Sequence, residues 1–166
     1  MSQKKAQDYM DSGNRNLEKG NFDQAIADFT KAIGLNPNDA EIYLFRAVAY
    51  NGMGQLREDT SLFDQGFEDL DHALKLNPDF AQAYAARGNA YYSKGERDKA
   101  LEDFNRALQL EPDNWCAYLV RGFIYIEKKE YDRGIKDLET SLRINPDQSD
   151  IRGLIESARK RQKLQI

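Results

Sequence analysis

One histidine and one cysteine limit what chemistry this 166-residue chain can perform. An internal disulfide needs two thiols, and no His/Cys metal site can be assembled from His72 and Cys116. No metal and no cofactor is expected. A histidine-based triad would have to use His72, which shares an outward-facing helical position with Lys31, Arg106 and Thr140. It lies on another helix face from Cys116 and cannot activate that thiol. The run Gly52-Met53-Gly54-Gln55-Leu56-Arg57 lacks the third glycine of a dinucleotide loop and follows a helix rather than a strand. The carboxylates are scattered in a way that suits helix caps and solvated faces better than an acid–base pair. These residues argue against an enzyme.

Composition narrows the reading further. Lys+Arg 24 against Asp+Glu 28 gives a net charge of −4, which disfavours a nucleic-acid binder. No stretch approaches the roughly 18 apolar residues of a membrane-spanning helix, and the mean hydropathy is −0.79. Tyr 9 and Phe 8 are too many large apolar groups for a disordered chain. Met1 to Met10 carries Lys4 and Lys5 without a following apolar run, so it does not read as a secretory signal. A reducing, cytoplasmic setting is the expectation.

The elements that position these residues follow from a repeat. Pro37, Pro78, Pro112 and Pro146 are spaced 41, 34 and 34. Ala25, Gly66, Ala100 and Gly134 keep that spacing, as do Phe29, Leu70, Phe104 and Leu138. Tyr9, Tyr43, Tyr84 and Tyr118 are spaced 34, 41 and 34, and Gly13, Ala47, Gly88 and Gly122 follow them. A period near 34 signals a repeat architecture. Within a unit the apolar residues fall at helical spacing, as in Ala100, Leu101, Phe104, Ala107 and Leu108. Gly95 is placed to end a first helix, and Asp23, Asp64, Asp98 and Asp132 stand where second helices need an N-cap acceptor. Each proline ends a second helix by pushing the preceding residue out of the helical region. The small columns allow close helix–helix contact.

Tyr84…Arg87-Gly88…Tyr91…Gly95…Ala100…Phe104…Ala107…Pro112 resembles a tetratricopeptide repeat (TPR). The resemblance covers 6–148 as units 6–39, 40–80, 81–114 and 115–148. It implies an all-α superhelical solenoid of four antiparallel helix hairpins. After Pro146, Ser149 or Asp150 can cap a last helix over 149–164. Its stripe of Ile151, Leu154, Ile155 and Ala158 suits a cap on the solenoid end, and its basic end, Arg159, Lys160, Arg161 and Lys163, suits a helix C-terminus. The second unit has seven extra residues between Gly54 and Phe63, in the turn that joins its helices. The expectation is a tolerated loop insertion, with a partner-contact feature as the alternative, and because seven residues are close to two helical turns, Leu56, Leu62 and Phe63 can also lengthen a helix without rotating its apolar face. An arginine column, Arg46, Arg87 and Arg121, with Ser12 in the first unit, stands where the family more often has an apolar residue. Asp28, Asp69 and Asp103 are expected to meet Arg46, Arg87 and Arg121 across unit boundaries.

In this family the first helices line a concave groove where peptides or helices lie. The resemblance carries that role to Met10, Asn14, Leu44, Phe45, Val48, Asn89, Tyr92, Leu119, Val120, Phe123 and Ile126. The co-chaperones of the family grip chaperone-tail carboxylates with Lys, Asn, Asn, Lys and Arg. Those places hold Met10, Asn14, Phe45, Gln82 and Ala86 here, so no such clamp is expected. The expected function is a protein-interaction adaptor that binds an apolar or amphipathic segment. The alternative is a structural subunit that self-associates through the groove or the solenoid ends. No nucleic acid and no membrane is expected as a partner.

Overall fold

A computed structural model describes residues 2–164. Among them are nine helices and no strand. Four hairpins pair α1 (Ser2–Glu18) with α2 (Phe22–Leu35), α3 (Ala40–Arg57) with α4 (Ser61–Leu76), α5 (Ala81–Ser93) with α6 (Arg97–Leu110), and α7 (Trp115–Glu127) with α8 (Tyr131–Ile144). The ninth helix, α9 (Ser149–Lys163), packs on α8. The hairpins stack in chain order as an all-α solenoid, α2 on α3, α4 on α5 and α6 on α7.

Each hairpin closes where one helix offers almost no side chain. A Cβ on Gly13 would lie 2.6 Å from Phe29, one on Gly88 3.1 Å from Phe104, and one on Gly122 3.0 Å from Leu138. Ala47 and Leu70 make the same pairing in the second unit, both fully buried. The facing contact runs the other way. A Cβ on Gly134 would lie 2.6 Å from Ile126 Cδ1 and 2.9 Å from the Gly122 carbonyl oxygen. Second helices stop just before the residue that precedes proline, at Leu35, Leu76, Leu110 and Ile144. The tyrosine column secures the following turn, because Tyr43 and Tyr84 donate hydroxyl hydrogen bonds to the carbonyls of Pro37 and Pro78.

The inserted residues of the second unit lie in helix, and the turn between its helices keeps its length. α3 runs five residues past the point that matches the end of α1, and α4 starts two residues before the point that matches the start of α2. The turn stays at three residues, 58–60, as in 19–21. Its left-handed residue moves with it, from the position of Gly20 (φ 73°) to Glu58 (φ 54°).

Two polar ladders replace the contacts expected from the sequence. The arginines pair within their own hairpins. Arg46 Nη2 reaches Asp69 at 2.6 Å, Arg87 Nε reaches Asp103 at 2.8 Å, and Arg121 Nε reaches Asp137 at 2.6 Å. Asp28 is taken by Ser12 and Asn16. The expected cross-unit pairing is thus corrected. The antiparallel hairpin sets arginine and aspartate face to face, and only Nη1 crosses the boundary, to Thr30, Asp71 or Asn105. In α1, Ser12 stands in the place of the arginine and donates its hydroxyl to Asp28 at 2.8 Å. The hydrogen bonds that Arg46 and Arg87 donate to Asp69 and Asp103 hold their guanidinium groups above the usual arginine range.

Asp23, Asp64, Asp98 and Asp132 are not N-caps, a second correction. They lie in the first turns of their helices, where the dipole favours them, behind Asn21, Thr60, Glu96 and Glu130. Their carboxylates reach the next first helix, at Arg57 (2.6 Å), Lys94 (2.8 Å), Lys128 (2.6 Å) and Gln162 (2.5 Å). Ser149 and Asp150 likewise sit inside α9, with Gln148 in the capping position.

The solenoid ends differ from its middle. Ile42, Ala83, Ala117 and Ile151 are buried against the preceding unit, as are Ala49, Ala90, Ile124 and Ala158. The matching residues of α1 are Asp8 and Arg15, both exposed. α9 occupies a fifth first-helix position, with Gln162 following Lys128 by 34 residues. Where a fifth second helix would approach, it carries exposed Glu156 in place of the glycine or alanine of the other units.

Gly134→Ala should destabilise the chain by about 1–3 kcal/mol despite alanine's better helix propensity. Gly153→Ala in α9 has nothing within 4 Å and should be neutral or stabilising by up to about 1 kcal/mol. Urea unfolding of both variants checks this, and an unchanged Gly134→Ala would refute the close contact. Asp103→Ala leaves Arg87, which is only 21% exposed, with Asp71 as its one carboxylate partner and two nitrogens of its fork unpaired, and should cost on the order of 2 kcal/mol. Asp23→Ala, from a pair 51% and 69% exposed, should cost under about 1 kcal/mol in the same assay.

Candidate functional site

The first helices hold the candidate partner face. Between α3 and α5 lies an open cleft of about 410 Å³. Val48 and Ala86 supply its apolar surface, and Asn51, Gln55, Asn89 and Ser93 supply amides and a hydroxyl, with Tyr92 at one side. Gln55 donates to Ser93 Oγ at 2.8 Å and so ties the two helices together at the rim. The Tyr92 hydroxyl donates to Glu127 Oε1 at 3.1 Å, and Arg97 pairs with that carboxylate at 2.6 Å. Burial and the Glu127 hydrogen bond push the Tyr92 phenol above its ordinary pKa, so it stays a neutral donor. Asn51 turns its Oδ1 toward Gly66, where a Cβ would overlap it sterically, and that buried oxygen has no partner among the described residues.

The residues assigned to the groove from sequence separate into three groups. Val48, Asn89 and Tyr92 line the cleft. Met10, Leu44 and Ile126 are core residues, each under 10% exposed. The remainder are partly buried. Phe45 stacks on Phe29 with ring centroids 6.1 Å apart. Leu119 and Phe123 pack against the cluster that α9 completes with Ile151, Ile155 and Ala158. Val120 packs beside Phe104 and Ala117. Asn14 is half-buried with an unpartnered Oδ1 among the described residues. The physical reason is that a first helix has four neighbours, two in its own hairpin and stack and two more first helices, so little of its circumference stays open. Gln55 is one of the cleft residues outside that sequence-derived set. It lies in the extension of α3, at helical spacing from Val48 and Asn51.

The remaining chemistry-bearing residues stand apart. His72 is exposed on α4 and stacks on Tyr43 with centroids 4.3 Å apart. Cys116 is exposed on α7, and partial burial pushes its thiol pKa upward, away from the reactive thiolate. No group of three metal-ligating side chains occurs among the described residues. No helix among them is long and apolar enough to cross a membrane.

Comparison with known families fits this geometry. Tetratricopeptide repeat profiles match residues 81–114 and 117–148, and a TPR repeat profile matches 13–54. The chain belongs to the tetratricopeptide repeat family. No curated protein matches the sequence. Among solved TPR structures, the first TPR of Spaghetti (RPAP3), bound to HSP90 peptide SRMEEVD, is 30% identical (TM-score 0.65). That match covers 74% of this chain and 91% of that one. The MamA protein is 27% identical, with TM-score 0.70 over 94% of this chain and 87% of its own. PilF of Pseudomonas aeruginosa is 21% identical, with TM-score 0.83 over 98% of this chain and 71% of that one, and shows the TPR fold alone.

Because Phe123 supports the α9 cap, Phe123→Glu should lower stability by about 1–3 kcal/mol. Asn89→Glu, at an exposed position, should stay within about 0.5 kcal/mol of wild type. Thermal unfolding followed by circular dichroism checks both. Equal melting of the two variants would mean that Phe123 is open to the groove after all.

Proposed function

We propose that this TPR protein is an interaction adaptor that holds an extended segment of a partner protein in the cleft between α3 and α5. The TPR fold is that of protein-interaction scaffolds, and a peptide-bound TPR domain is among its structural neighbours. The single observation that carries the finer reading is the composition of the cleft. Val48 and Ala86 accept an apolar side chain, while Gln55 and Asn89 can match the N–H and C=O groups of a partner backbone. A segment that alternates apolar and polar residues suits this surface. The positions that would clamp a terminal carboxylate hold Met10, Asn14, Phe45, Gln82 and Ala86. A carboxylate placed there would meet no cation, so a chaperone tail is not the ligand we propose. The lone cysteine agrees with work in the reducing cytoplasm.

The test uses immobilised wild type and Asn89→Glu to capture partners, with mass-spectrometric identification and then titration of synthetic segments from the captured proteins. The expected outcome is a segment that stabilises wild type on heating and binds Asn89→Glu about tenfold more weakly or worse. Light scattering across a roughly hundredfold concentration range runs beside it. A mass that rises with concentration in wild type and not in Asn89→Glu would give the cleft to a second copy of this chain and reject the adaptor reading.

A further inference from the structure

A second cavity, of about 450 Å³, opens beside the fourth hairpin and shares no residue with the α3–α5 cleft. Arg121 and Tyr125 of α7 and Arg133, Lys136 and Arg143 of α8 line it, with Asp137 as its one carboxylate. Four cations thus face one anion, in a chain whose net charge is −4. Asp137 is already engaged by Arg121 at 2.6 and 2.9 Å. Arg133 lies 4.0 Å from the centroid of the Tyr125 ring and donates to the Tyr125 hydroxyl at 2.5 Å, with Glu130 on its other side at 2.7 Å. These contacts fix its fork at the cavity wall. Lys136 and Arg143 make no ion pair among the described residues.

The other units do not repeat this charge. The residues that match Arg133, Lys136 and Arg143 are Gln24, Ala27 and Gly34 in the first unit, Gln65, Glu68 and Lys75 in the second, and Lys99, Glu102 and Gln109 in the third. The acceptor across the unit boundary differs too. Arg87 has the carboxylate of Asp71 there, whereas Arg121 has the neutral amide of Asn105 at 2.8 Å. The fourth hairpin therefore gathers three cations where each of the others has at most one, and its boundary acceptor is neutral where that of the third is an anion. Folding alone does not call for that, since the first three hairpins close without it.

We propose that this cavity binds a phosphate group. Guanidinium forks match phosphate oxygens in bidentate fashion, and a lysine ammonium adds a compact charge. The volume falls in the range of small-ligand sites, roughly 300–1,000 Å³, and exceeds what a bare phosphate fills, so it leaves room for the group that bears the phosphate.

Titration calorimetry at fixed ionic strength tests this, with inorganic phosphate and with a short peptide carrying one phosphoserine as probes. Wild type, Lys136→Glu/Arg143→Glu and Asn89→Glu are compared as full chains. Lys136 and Arg143 are both exposed on α8, so the double variant should keep its circular dichroism spectrum and melting temperature. Wild type and Asn89→Glu should bind inorganic phosphate alike, and the double variant should bind it at least ~10-fold more weakly. Lys136→Gln/Arg143→Gln should show a smaller loss in the same direction. Tighter binding of the peptide than of the free ion, lost in the same variants, would identify the source as a phosphorylated protein segment. Equal or weaker peptide binding would identify it as a small phosphorylated molecule. No binding of either probe to wild type, or binding that survives the double variant, overturns the proposal.

Discussion

Phe29, Leu70, Phe104 and Leu138 are fully buried, and each sits on a glycine or alanine of the facing first helix. Everything else in the solenoid depends on that contact. A hairpin of two short helices buries too little apolar surface to hold itself, and fully burying one such side chain contributes only about 1.5–3 kcal/mol. Closeness of the backbones brings the other residues of the interface within reach of one another. It also costs helix propensity at Gly88, Gly122 and Gly134, which packing must offset. The same closeness places Arg46, Arg87 and Arg121 against Asp69, Asp103 and Asp137 inside each hairpin.

The two charge ladders divide the work of assembly. The arginine ladder is half-buried, hydrogen-bonded by forks of two nitrogens, and reaches the preceding unit through its third. It fixes how one hairpin sits on the last. The aspartate ladder is exposed and screened, so it adds little energy per rung. Its value lies in register, because each first-turn carboxylate can reach only the end of the next first helix. The insertion shows how strict this is. Met53 occupies the place of Lys94 and Lys128 and is buried, and Arg57, one turn further along the lengthened α3, takes the aspartate in its stead.

That lengthening also shapes the candidate site. Gln55 belongs to the extension of α3, and its hydrogen bond to Ser93 closes one edge of the cleft. A loop insertion of the same length would have left α3 short and the cleft open at that end. The cap works at the opposite end of the stack. α9 covers Leu119, Phe123 and Ile126, which would otherwise extend the partner face by an apolar patch. The cleft itself lies between the first helices of the second and third units and is richer in amides than the residue types along α7 suggest.

The period of 34, the turn prolines and the alternation of helical apolar runs with glycine were enough to determine nine helices, their order and the family, because these are local signals repeated four times over. The small columns also announced close helix contacts. Which arginine meets which aspartate was not legible. Asp28, Asp69 and Asp103 precede Arg46, Arg87 and Arg121 in the chain as readily as Asp69, Asp103 and Asp137 follow them, and a column pattern has no sense of direction. Only the antiparallel hairpin decided it. The open part of the groove was likewise undecided. Met10, Leu44 and Ile126 have the same helical phase as the only partly buried Ala85, Leu119 and Tyr92 of other units, and their deeper burial depends on what the neighbouring helices bring against them. The cationic cavity at the fourth hairpin required both kinds of knowledge. Its residue types stand in the sequence, and Arg133, Lys136 and Arg143 share α8, but Arg121 and Tyr125 join them only when α7 and α8 pack.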